Sequence, residues 1–111
     1  MNNGYYLGID IGGTKCVVLA GTDKMQVLQR QQFDTKPGRG PDRIIDQLLE
    51  LSQSVVAELS SQELIAVGIS CGGPLDAKRG IIQSPPNLPG WNDIPITKIL
   101  RKSSGACFLA K

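Results

Sequence analysis

The sequence Asp10-Ile11-Gly12-Gly13-Thr14-Lys15 lies between two apolar runs close to the amino terminus, and the architecture follows from it. Residues 5–11 and 16–20 are rich in β-branched and aromatic side chains, and a Gly-Gly pair punctuates them as a tight hairpin does. Glycines there allow the backbone to approach a ligand closely, so the turn amides can face phosphate oxygens. Thr14 adds a hydroxyl and Lys15 a positive charge. Asp10 places a carboxylate at the mouth of the turn, where it can hold a hydrated Mg2+. A plain Gly-Gly hairpin, with Asp10 bonding its own turn amides, is the alternative that these six residues leave open.

Outward from this turn, Thr22-Asp23-Lys24 reads as a second turn and residues 25–33 as a third strand, with Val27 at a partly exposed edge. The loop Lys36-Pro37-Gly38-Arg39-Gly40-Pro41 leads into a helix. Pro41 stands at its first position and Asp42 in its first turn, both favourable there. Ile44, Ile45, Leu48, Leu49, Leu51, Val55, Val56 and Leu59 form one apolar face, and Ser60-Ser61 ends it. Residues 64–70 read as a buried strand of the parallel-sheet type. Residues 80–84 suggest a short strand, 94–102 a short helix or turn, and 106–110 a last strand. The order β-β-β-α-β-α-β, a three-strand meander followed by a helical crossover to a parallel strand, suits several mixed-sheet α/β folds, and together with the glycine turn it points to a ribonuclease H-like half-domain.

The 111 residues make one domain with room for a real core. The formal net charge is +2, and the basic residues are dispersed, so no nucleic-acid surface is expected. Asp10 interrupts the only apolar candidate for a signal peptide or membrane span. Cys16, Cys71 and Cys107 are widely spaced and odd in number, which fits neither a disulfide framework nor a zinc site. The cytoplasm is the expected compartment.

Three blocks carry a resemblance. The order Asp-x-Gly-x-Thr in a first hairpin resembles the phosphate loop of the actin-like ATPase superfamily. Its longer form, residues 8–15, is similar to that of the ROK family of bacterial sugar kinases and sugar-responsive repressors. The block Val67-Gly68-Ile69-Ser70-Cys71-Gly72-Gly73-Pro74-Leu75-Asp76 resembles the family's segment before its sugar pocket. Ser84-Pro85-Pro86-Asn87-Leu88-Pro89-Gly90-Trp91 is similar to its Pro-Asn-Leu-x-Gly-Trp segment.

The resemblance implies an ATP-dependent hexose kinase with Mg2+ as cofactor. It assigns Gly12, Gly13 and Thr14 to the ATP phosphates, with Lys15 as a lesser candidate, and Asp10 to the metal. Gly73, in a turn at the carboxyl end of a buried strand, and Asn87 are the sugar-side candidates; Asn87 suits a loop brace equally well. The family usually has Pro-Gly-Pro where this chain has Gly72-Gly73-Pro74, and Gly73 matches the family's glycine. Trp91 reads as a core plug and Cys71 as a packing residue, since no histidine exists to activate a thiol.

The family's catalytic Asp follows the strand that here ends at Ala110, so it is expected beyond Lys111. Neither Asp76 nor Asp93 matches its block. The chain thus reads as the front third of a kinase, inactive alone, and a homo-oligomer is expected. The alternatives are a sugar-responsive repressor of the same family and a non-catalytic module that binds nucleotide or a partner. Few residues precede the phosphate loop, which favours the kinase over the repressor.

Overall fold

In a computed structural model of the chain, the described residues are 4–71, 75–76, 81–82, 91, 95–96, 98 and 107–110. Strands β1 (Gly4–Ile11), β2 (Lys15–Gly21) and β3 (Val27–Asp34) form the meander, and helix α1 (Pro41–Glu58) crosses to β4 (Glu63–Cys71). The main sheet has five strands in the order β3-β2-β1-β4-β7, with β7 at Cys107–Ala110. β1 pairs antiparallel with β2 and parallel with β4, and β4 pairs parallel with β7.

Alternation along the strands explains which face is covered. Tyr5, Leu7, Ile9 and Ile11 on β1 are buried, as are Cys16, Val18 and Ala20 on β2 and Val67 and Ile69 on β4. A period of two puts these on one face. They pack with Ile44, Ile45, Leu48 and Val55 of α1 into a single core, and Leu49, Leu51 and Val56 lie against it. The apolar face expected of the helix is therefore the face it buries. Ile82, Trp91 and Ile96 join the same cluster, so Trp91 is the core plug that its sequence context suggested.

Several boundaries differ from the sequence reading, each for a local reason. The third strand begins at Val27 rather than Met25. The Thr22 hydroxyl accepts from the backbone N–H of both Lys24 and Gln26, which extends the turn. Met25 is left at φ 64°, almost fully exposed at the tip. Of the strand expected over 80–84, the described part is β6 (Ile81–Ile82), the rest lying outside the described residues, and it pairs with an unforeseen partner, β5 (Leu75–Asp76). The loop before the helix contains a 3-10 turn at Pro37–Arg39. Most of the helix expected over 94–102 lies outside the described residues.

Candidate phosphate-binding site

The β1–β2 turn is tighter than a generic hairpin. Gly12 N–H donates to Lys15 O at 3.1 Å, and a Cβ on Gly12 would sit 2.7 Å from that same oxygen. Only glycine fits without moving backbone. Gly13 is half-buried, whereas Thr14 and Lys15 are exposed. The Lys15 ammonium is engaged with the Asp34 carboxylate at 3.1 Å, so a phosphate would have to share it with Asp34.

Asp10 is exposed on the sheet face opposite α1. It is a register partner of Ser70, and both stand near the carboxyl ends of parallel strands. Ligands of open α/β sheets bind at such ends. An open trough on this face is floored by Gly8 and Gly68, also register partners, and walled by Asp10, Leu19, Arg30 and Ser70. Among the described residues no group of three or more acidic, histidine or cysteine side chains forms a metal cage. A lone, exposed carboxylate beside a close-approach turn fits Mg2+, which keeps most of its waters and takes phosphate oxygens as further ligands.

Thr35 was not singled out by sequence reasoning. It is fully buried, the one buried polar side chain among the described residues. Its hydroxyl donates to Gly12 O at 2.7 Å, and its N–H donates to Thr14 O at 2.8 Å. A hydroxyl carries one proton. With that proton on Gly12 O, the contact of 3.4 Å between Thr35 Oγ1 and Cys16 Sγ has the thiol as donor. Burial pushes the Cys16 thiol above its ordinary value, with the Thr35 contact only partly opposing it. The thiol is thus neutral at pH 7 and a packing group. Cys71, half-buried against the core, packs likewise.

Arg39 secures the other side of Thr35. Its guanidinium donates to Thr35 O at 2.8 and 3.3 Å and to Asp34 O at 3.3 Å. It also reaches Gln47 Oε1 on α1 at 2.8 Å and lies 5.9 Å from the Phe33 ring centre. The only sequence signal was position: a Thr directly after the edge strand that flanks the loop. Gly73 and Asn87, the sugar-side candidates, lie outside the described residues.

A close-approach glycine turn, an exposed carboxylate beside it and parallel strands ending at the same edge thus meet in one place. The sequence pattern of the ROK family matches residues 6–110, and the chain belongs to that family. It is 29% identical over 99 residues to a glucokinase from Thermotoga maritima, covering 89% of this chain and 30% of that protein. A ROK hexokinase from Thermus thermophilus superposes with a TM-score of 0.79 at 30% identity, over 96% of this chain and 34% of that one. A ROK glucokinase from Streptomyces griseus, solved with glucose and AMPPNP, gives 0.78 at 27%, over 97% and 33%. The fold is therefore that of the actin-like ATPases, as its first hairpin suggested. The chain spans about a third of the length of these relatives. Among the described residues no helix is long and apolar enough to cross a membrane.

Proposed function

We propose that this chain is the amino-terminal, phosphate-loop and sugar-side part of an ATP-dependent sugar kinase, which transfers the γ-phosphate of ATP to a hexose hydroxyl. The observation that carries the reading is Gly12, packed so closely on Lys15 O that no side chain fits, next to an exposed Asp10. Such a turn presents backbone amides rather than side chains, as a polyphosphate requires. Phosphoryl transfer depends mainly on positioning and on charge stabilisation. Gly12, Gly13 and Thr14 would orient the phosphates, and Lys15 would add charge at their edge. Asp10 would hold hydrated Mg2+, whose role when bound is to neutralise phosphate charge. Gly73 and Asn87 would contact the sugar. The base that takes the hydroxyl proton would be an Asp beyond Lys111.

A coupled ADP-release assay over a hexose panel tests this in the intact protein. Sugar-dependent ADP release by the intact protein, and none by the 111 residues alone, is the expected result. Sugar-dependent release by the 111 residues alone would remove the assigned base. No sugar-dependent release by the intact protein would remove the kinase reading.

A further inference from the structure

We propose that Thr35 is a positioning residue for the phosphate donor: its buried hydroxyl fixes the Gly12–Gly13 peptide plane and so aims the Gly13 N–H at a phosphate oxygen of a nucleoside triphosphate. The proposal rests on the kinase reading above. Gly12 is held from two sides, its N–H by Lys15 O and its carbonyl by the Thr35 hydroxyl. The chain has no cis peptide among the described residues. In a planar trans peptide the C=O of one residue and the N–H of the next point in opposite directions. With Gly12 O locked onto a side chain of zero exposure, the Gly13 N–H must point away from the core. A phosphate oxygen approaching the outer side of the turn would meet that N–H.

The anchor is itself held by bonds to its backbone on both sides. Thr35 N–H is bonded to Thr14 O, so one residue ties down the carbonyls on both sides of Gly13. Its own carbonyl is held by Arg39, which is in turn bonded to Gln47 on α1. A turn of two glycines would otherwise sample many peptide orientations. Pre-set donors act without reorganisation when the ligand binds.

The test compares Thr35→Val and Thr35→Ser in the intact protein. Valine keeps the shape and leaves the part-buried Gly12 O without its donor, whereas serine keeps the donor. The KM for ATP should rise about tenfold or more in Thr35→Val, the effect of one lost hydrogen bond with its acceptor left unpaired. The KM for the sugar should stay within about twofold, and Thr35→Ser should restore the ATP value. A merely structural role would lower the active fraction, and with it kcat, while leaving the KM for ATP unchanged. An unchanged KM for ATP in Thr35→Val, or a Thr35→Ser as impaired as Thr35→Val, overturns the proposal. Calorimetric titration with AMPPNP covers the case in which the wild type turns over no sugar. Weaker binding by Thr35→Val alone would then uphold Thr35 while the kinase reading falls. Equal binding by all three proteins, or none by any, would overturn it.

Discussion

Lys15 and Asp34 are direct register partners across β2 and β3, and their side chains close an ion pair at 3.1 Å. The Lys15 hydrogen bond, then its charge, holds the Asp34 carboxyl below its ordinary value. A carboxyl lowered in the folded state contributes stability that is complete above its unfolded pKa and fades as pH falls through the folded one. Both side chains are more than half exposed, so the contribution is small and salt-sensitive. Lys15→Met should therefore move the Asp34 titration upward. The stabilities of variant and wild type should converge at pH values below the folded pKa of Asp34. Carbon-13 NMR titration of Asp34 measures this, and an unmoved midpoint would assign the shift to another group.

If Asp10 holds the metal as proposed, Asp10→Ala should reduce sugar-dependent ATP turnover in the intact protein by at least about a hundredfold, since the metal acts on transition-state charge. Its side chain is exposed, so folding stability should change by no more than about 1 kcal/mol. Steady-state kinetics paired with thermal melting separates the two effects. Near-normal turnover in a well-folded variant would end the metal role.

Gly12→Ala should damage both fold and site. The added Cβ would meet backbone, which has no flexible end to yield. The overpacking should cost about 1–3 kcal/mol, read from urea denaturation. Nucleotide affinity should fall further than this destabilisation explains, since the turn itself has to open.

Two glycines in the segment before α1 make opposite predictions. Gly40, at the helix N-cap, has φ 86° and ψ 161°, a region almost confined to glycine. Gly40→Ala should destabilise by about 1–3 kcal/mol although nothing lies near the added methyl. Gly38 has equal space and no positive φ, so Gly38→Ala should be neutral or stabilise by up to about 1 kcal/mol. Denaturation midpoints of the two variants decide it, and a similar loss in both would place the strain elsewhere.

The meander, the crossover helix and the glycine turn between the first two strands were legible in the sequence because each leaves a local physical pattern. Two β-branched and aromatic runs on either side of the glycine pair marked β1 and β2, and helical spacing put Ile44, Leu48 and Val55 on one face. Met25 misled because an apolar residue two positions before Val27 extends a strand pattern, while the turn is set by backbone N–H groups that donate to the Thr22 hydroxyl. The β5–β6 pairing is too short to carry any period. Thr35 was invisible for a different reason. A single threonine after a strand looks like solvated turn chemistry until the fold brings Gly12 O and Cys16 Sγ against it.

The Gly12–Thr35 contact spans only 23 positions of chain, whereas the parallel pairing of β1 with β4 waits for the whole of α1. Contacts across short loops cost the least closure entropy. Every residue of the turn and of its Thr35 contact precedes α1 in the chain, so this contact can form before the helix has been made. Ser70, the neighbour of Asp10, arrives only after the helix. The glycine turn is therefore expected to form before the sheet on which it rests is finished. In pulse-labelling exchange during refolding, the Gly12 and Thr35 amides should gain protection before those of β4. Simultaneous protection would mean that the turn is shaped only by the finished sheet.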